Sequence, residues 1–127
     1  MAEYFKDHRR MNHRAVQIWQ ILVGSAHNRQ TLTYKQLAEK VGYGGSGVFD
    51  KQLGHIMFYC AQNKLPPLTV LVVNSKTGLP GQGLLVEKNL HVEREKVFNY
   101  NWFGIYPPTA EALSEAYEKA REKGWKL

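Results

Sequence analysis

Cysteine is scarce in this chain, with one residue in 127, and its scarcity bounds the chemistry available. A single cysteine cannot form an internal disulfide, which fits a reducing compartment and predicts a cytoplasmic location. The sequence also lacks the long apolar run of a membrane span and the charged-then-apolar start of a signal peptide. Neither feature is therefore expected.

Carboxylates are also sparse where a catalytic centre would need them. Asp50 is the only acidic residue between Glu39 and Glu87, so a metal-dependent nuclease would lack its usual cluster. The five histidines form no HxH or HxxxH pair. Cys60 lies on the apolar face of a predicted helix, five residues after His55, which predicts a buried, inert thiol. We expect no enzyme activity, no metal and no cofactor.

Positive charge is in excess, and most of the excess lies in one half of the chain. The net charge is +6, and residues 1–64 hold nine Lys and Arg against four Asp and Glu. Residues 65–127 hold eight against seven. A basic surface attracts polyanions by releasing their condensed counterions, and nucleic acid is the commonest such partner. Duplex DNA is the expected partner, with nucleoid association if it binds.

Apolar spacing predicts three helices in the first half of the chain. The first begins at His13 and buries Trp19, and Asn28 to Gln30 close it. Thr33 and Gln36 form a capping box that starts a short second helix. The third helix covers 48–63. The glycines at 42, 44, 45 and 47 predict a turn between the last two, because no strand precedes them and no phosphate-loop ending follows.

The order that follows indicates a winged helix-turn-helix. Pro66 and Pro67 stop the third helix, and the aliphatic residues 68–73 predict a buried strand. Residues 74–78 predict a turn and 84–86 a return strand, which together form a wing over 68–86. The predicted fold class is α+β: a three-helix core with a β-hairpin wing and an added C-terminal helix. The chain is one domain, 1–127, with its core at 13–88 and a covering part at 89–127.

The covering part divides into an aromatic segment and a helix. Residues 90–106 predict an extended, partly irregular cover on the core, and whether the aromatics of 97–106 are core or interface stays open. Pro107, Pro108 and Thr109 precede the final helix, which Gly124 ends. Its predicted apolar face consists of Ala110, Leu113, Ala116, Tyr117 and Ala120.

The predicted DNA contacts combine phosphate-binding cations with side chains that suit base edges. A helix-turn-helix places its second helix in the major groove, where amides read adenine edges and cations meet guanine or phosphate. Phosphate contacts are predicted for Arg9, Arg10, Arg14, Lys35 and Lys76. Groove contacts from the helix at 48–63 are predicted for Lys51, Gln52, His55, Tyr59 and Gln62.

One stretch of about half the chain, residues 15–85, carries a family resemblance. Thr33-Tyr34-x-x-Leu37-Ala38, a glycine turn, Lys51-Gln-Leu-Gly54, an asparagine, prolines, a buried strand and a turn at Gly78 follow in order. This order resembles the DNA-binding domain of the alkylguanine-DNA alkyltransferases and alkyltransferase-like proteins. The resemblance implies that Tyr34 crowds a phosphate beside a flipped nucleotide. It also implies that Lys51 stands where the family has an arginine that enters the base stack.

The resemblance stops at the nucleophile. The family has Pro-Cys-His-Arg where this chain has Leu-Val-Val-Asn, at 71–74, and Val72 stands at or beside the cysteine position. Valine cannot accept an alkyl group, so the transferase reaction is excluded.

Two other functions remain open beside non-enzymatic DNA binding. One is a protein-interaction module, a subunit or inhibitor in a larger complex, which would dock through the aromatics of 97–106 and the acidic C-terminal helix. The other is a reader of modified bases or lesions, which rests on the resemblance alone. Exposed aromatic side chains in a contiguous patch would favour the protein partner.

Overall fold

The computed structural model describes residues 1–5, 10–42, 49–78 and 89–124 as a mostly helical α+β structure. The elements, in order, are α1 (Met11–His27), β1 (Leu32–Thr33), α2 (Tyr34–Val41), α3 (Asp50–Gln62), a 3₁₀ helix (Leu68–Leu71), β2 (Val72–Val73), α4 (Leu90–Asn99), a second 3₁₀ helix (Trp102–Gly104) and α5 (Ala110–Glu122). Within these ranges, no helix combines the length and apolar content that crossing a membrane requires.

Helix α3 is the centre of the core. Eight of its residues are buried, from Gln52 to Phe58 and again at Cys60. Such burial on nearly every side marks a helix enclosed by its neighbours rather than one that lies on a surface. Helices α1 and α5 and the first 3₁₀ helix pack around it. Trp19 of α1 is buried in this core, as its spacing predicts.

Helix α2 begins at the predicted capping box. The backbone N–H of Gln36 donates to Thr33 Oγ1 at 3.1 Å, and the Thr33 backbone N–H donates to Gln36 Oε1 at 2.8 Å. Two of the N–H groups that a helix start leaves without partners are thereby satisfied. At the other end, Gly42 adopts a φ of +82°, the left-handed conformation that terminates helices. The residues at 43–48, which include the rest of the predicted glycine turn, lie outside the described ranges.

Removing the cap should weaken the fold measurably. We expect Thr33→Ala to lower the free energy of unfolding by about 1 kcal/mol, because the Gln36 N–H loses its acceptor. Urea unfolding followed by circular dichroism measures the change. Thr33→Ser keeps a hydroxyl at the same place and should retain most of the stability. Equal losses in the two variants would show that the methyl group, not the cap, carries the effect.

The predicted first strand of the hairpin wing is wrong over most of its length, whereas the predicted turn at 74–78 is confirmed. Residues 68–71 form a 3₁₀ helix, with Val70 N–H donating to Pro67 O, and only Val72 and Val73 form a strand. That strand pairs in parallel with β1, Leu32 with Val72 and Thr33 with Val73. A short, fully buried apolar run fits a strand or a helical turn equally well, so its composition could not distinguish them. The predicted return strand at 84–86 lies outside the described residues.

The prediction of an extended cover over 90–106 is also wrong for its first ten residues, which form helix α4. Asn89 caps this helix, since its Oδ1 accepts from the Val92 N–H at 3.2 Å. The sequence Glu93-Arg94-Glu95-Lys96 consists of good helix formers, and this local preference prevails over the β-branched and aromatic residues around it. Helix α5 begins after Thr109, and the five apolar residues predicted for its inner face are all buried.

Candidate nucleic-acid interface

The parallel pair brings two predicted phosphate-binding lysines to one edge of the molecule. After β1 the chain enters α2 with Tyr34 and Lys35, and after β2 it enters the turn that holds Lys76. Strands that run in parallel end at the same edge of a sheet. Lys35 and Lys76, which come from distant parts of the chain, therefore share that edge, and both are exposed.

The turn that carries Lys76 is fixed by its own hydrogen bonds. Asn74 Oδ1 accepts from the Lys76 backbone N–H at 2.8 Å, and the Gly78 N–H donates to Asn74 O at 2.8 Å. Gly78 has a φ of +68°, a left-handed conformation that residues with a Cβ rarely adopt. The turn thus holds the backbone of Lys76 in one position, and the side chain extends from it into solvent.

Arg94 of α4 reaches the same turn. Its Nη2 donates to the carbonyl oxygen of Gly78 at 2.6 Å. Its Nε is shielded from solvent and has no hydrogen-bond partner. Arg94 is not among the predicted contacts, because the sequence pattern predicts an extended cover instead of a helix at this position. We call Lys35, Lys76 and Arg94 the basic edge.

No carboxylate pairs with the basic edge in the described part of the chain. The ion pairs found there join Arg29 to Glu95, Lys96 to Glu93 and Arg121 to Glu118. The pairing of Glu95 with Arg29 lowers the pKa of that carboxyl and keeps it ionised. The two acids of α4 that neighbour Arg94 in sequence are thus engaged by other cations. Within the described ranges, no ion pair offsets the positive charge of the basic edge.

The remaining predicted phosphate contacts fall in three different environments. Arg10 is exposed and precedes α1, and Lys51, which was predicted as a groove contact, is exposed in the first turn of α3. Arg14 is buried, so its prediction as a surface contact is wrong. Its Nη1 donates to Val41 O at 3.2 Å and to Gln17 Oε1 at 2.8 Å, which ties α1 to the end of α2. Arg9 lies outside the described residues.

Most of the predicted base-reading side chains of α3 are buried or engaged by the protein itself. Gln52 and His55 are only 9% and 5% exposed, so the prediction that they face an open groove is wrong. Gln62 is exposed, but its Nε2 donates to the backbone oxygen of Ala116 at 2.9 Å. Tyr59 is half-buried and meets Trp19 edge-on at 5.7 Å. The helical spacing located this face of α3, but it could not show that another helix occupies it.

His55 is held in its neutral form between α3 and α5. Its Nδ1 lies 2.6 Å from Lys51 O, which can only accept, so Nδ1 carries the proton. The ring stacks on Tyr117 with centroids 4.3 Å apart. Burial lowers the pKa of His55, and the bond to the Lys51 carbonyl and the charge of Glu118 oppose that shift only in part. The folded protein therefore disfavours the imidazolium.

Acid should weaken the fold through this histidine. Because the pKa of His55 is lower in the folded than in the unfolded state, the unfolded chain binds the extra proton below about pH 6.5. We expect the free energy of unfolding to fall as the pH decreases through that range. His55→Phe keeps a stacked ring without a titrating group and should flatten the dependence. The exposed His91, replaced by Gln, is the control, and an equal flattening there would contradict the assignment.

The lone cysteine is buried, as predicted. Burial raises the pKa of Cys60 to about 12, so the thiol stays protonated and poorly nucleophilic. Among the described residues, no group of three His, Cys, Asp or Glu side chains is placed to hold a metal ion.

The aromatic segment is divided between core and surface. Trp102 is buried, and Phe98 and Tyr100 are half-buried against the same core. Phe103 and Tyr106 are 67% and 95% exposed, although Phe103 meets the His27 ring edge-on at 5.1 Å. Phe98, Tyr100 and Trp102 therefore belong to the core. Phe103 and Tyr106 lie at the surface, where an interface could use them.

Comparisons with protein-family models, with curated proteins and with solved structures give no match to this chain.

Proposed function

We propose that this protein binds duplex DNA without catalysis, through phosphate contacts made at the basic edge. The observation that supports this most is that Lys35 and Lys76 both follow the C-terminal ends of the two paired strands, with no carboxylate partner in the described residues. Unpaired cations held by ordered backbone are what a phosphate backbone requires. Arg10 and Lys51 extend the set of exposed cations available to DNA.

The proposed binding depends little on base sequence. Phosphate contacts position a protein on a duplex, whereas contacts to base edges specify the sequence. The burial of Gln52 and His55 removes two of the five candidates for base contact, and the bond from Gln62 to α5 engages a third. Lys51 and Tyr59 are the remaining candidates. We therefore propose a protein that holds duplex DNA mainly by its backbone.

A salt series with a labelled random-sequence duplex tests this proposal. The logarithm of the binding constant should fall linearly with the logarithm of the salt concentration, by about 0.9 for each phosphate contacted. Absence of binding at low salt by correctly folded protein would overturn it. The same series with a duplex that carries an alkylated guanine tests the lesion reader, which requires tighter binding to the modified duplex.

A second candidate function is supported by the exposed aromatics. Phe103 and Tyr106 lie close in sequence, beside the buried Trp102 that anchors their segment, and such exposed apolar side chains are typical of protein-binding surfaces. A protein-interaction module would use them to dock in a larger complex. The test compares affinity capture by the native protein and by a Phe103→Ser, Tyr106→Ser variant. A stoichiometric partner that only the native protein retains would support this function.

A further inference from the structure

We infer that a cleft between α1 and α2 binds a neutral, hydroxyl-rich small molecule, a mono- or disaccharide. We call it the α1–α2 cleft. Its volume is about 600 Å³ and it is partly open to solvent. Small-molecule sites span roughly 300–1,000 Å³, so the cleft has the size of a ligand site. This inference goes beyond the proposed function and does not depend on DNA binding.

Two helix faces form the walls of the α1–α2 cleft. Gln20 and Gly24 are four residues apart and so lie on one face of α1, as Gln36 and Lys40 do on α2. The connecting residues 30–32 also line the cleft. Because both walls are regular helix, the lining is in place before a ligand arrives, which keeps the entropic cost of binding low.

The lining is rich in groups that can both donate and accept hydrogen bonds. Side-chain amides and hydroxyls come from Gln20, Ser25, Asn28, Gln30 and Thr31. In the part of the chain that the structure describes, none of these five side chains bonds to another protein group. Sugar hydroxyls also donate and accept at once, so they match such a lining group for group.

The charge and the apolar part of the lining exclude other ligand classes. Glu39 and Lys40 contribute one charge of each sign, so the cleft offers a phosphate or a nucleotide no net attraction. Ile21 and Leu32 provide an apolar surface for the C–H face of a sugar ring. A wholly apolar ligand would cover the amides without bonding them, which is costly.

Gly24 has no packing role that explains its place inside a helix. A Cβ there would meet no heavy atom within 4 Å outside its own stretch of α1, and its φ is not one that favours glycine. Glycine in a helix interior is less stable than alanine. Gly24 lines the α1–α2 cleft, so its missing side chain leaves room there for a ligand.

The test is a titration of the ¹⁵N-labelled native protein with neutral saccharides, followed through its backbone amides. The probes are glucose, galactose, mannose, N-acetylglucosamine, maltose, lactose and trehalose, with AMP and inorganic phosphate as anionic comparisons. At least one saccharide should produce saturable shifts within residues 20–32 and 36–40. Absence of such shifts with every saccharide, or shifts there with the anions alone, would overturn the inference.

Three variants locate the binding. Gly24→Leu fills the cleft with a good helix former, so it should abolish the saccharide shifts while the melting temperature stays native or rises. Ala61→Leu adds the same bulk at an exposed position of α3 and should bind as the native protein does. Gln20→Ala loses one hydrogen-bonding amide and should weaken binding about tenfold.

The variants also decide whether a bound saccharide occupies this cleft. Native affinity in Gly24→Leu would place the ligand elsewhere and overturn the site. Equal losses in Gly24→Leu and Ala61→Leu would overturn it too, because bulk at any helix surface would then have the same effect. If Gly24→Leu does not fold, Gln20→Ala decides alone, and native affinity in that variant contradicts the inference. None of these outcomes bears on DNA binding, which the salt series tests separately.

Discussion

Replacement of Trp102 by alanine should lower the free energy of unfolding by about 3–5 kcal/mol, the range for large aromatic side chains removed from a core. Trp102 is buried, and its ring meets Trp19 of α1 edge-on at 5.7 Å and Tyr100 at 4.6 Å. Its Nε1 donates to Val97 O at 2.8 Å. Loss of the side chain therefore opens a cavity between α1 and the segment that follows α4, and leaves Val97 O with only the longer bond from the Tyr100 N–H at 3.4 Å.

Two further variants show how much of that loss comes from the hydrogen bond and how much from the burial of the ring. Trp102→Phe keeps an aromatic ring but not the hydrogen bond, so it should cost less than the alanine variant. Phe103→Ala removes a neighbouring ring that is largely exposed, and its effect should stay within about 0.5 kcal/mol, as for ordinary surface positions. Urea unfolding of the three variants measures the differences. If Trp102→Ala cost no more than Phe103→Ala, the segment after α4 would not be part of the core.

Loss of both basic-edge lysines should produce the largest change in DNA affinity. Lys35→Ala with Lys76→Ala removes two proposed phosphate contacts, so the slope of log binding constant against log salt should fall by about 1.8. The affinity should fall alike for every duplex sequence, because phosphates carry no sequence information directly. Fluorescence anisotropy with two unrelated duplexes measures both effects.

A charge-matched variant shows whether position or net charge matters. Lys119→Ala with Lys123→Ala removes the same charge from α5 and its C-terminal end, where both lysines are exposed. We expect a small, long-range loss of affinity and an almost native slope. If the α5 variant and the basic-edge variant lost affinity equally, binding would follow the net charge of the protein and not a defined site.

The elements that local sequence determines could be predicted, and those that depend on distant partners could not. The capping box at Thr33 and Gln36 and the buried face of α5 follow from spacing within one helix. The pairing of β1 with β2 joins residues from separate parts of the chain, and nothing in either stretch specifies a parallel register. Helix α4 is an exception, since its cap at Asn89 and its charged centre are local signals, but the aromatic and β-branched residues around them favoured an extended segment.

The same distinction applies to the candidate interface. The exposure of Lys35 and Lys76 could be expected from their charge, but their common edge depends on the parallel pair. The burial of His55 depends on Tyr117, which comes from the far end of the sequence. Arg94 became visible only through its bond to Gly78 O and its unpartnered Nε. Sequence spacing thus located several cations and could not show which of them act together.

The most direct test of the central proposal is a titration of the ¹⁵N-labelled protein with a short duplex, followed through its backbone amide resonances. DNA binding at the basic edge predicts saturable shifts at residues 34–36 and 74–78, and little change across α5. Shifts centred on residues 103–106, or no shifts at low salt, would contradict the proposal.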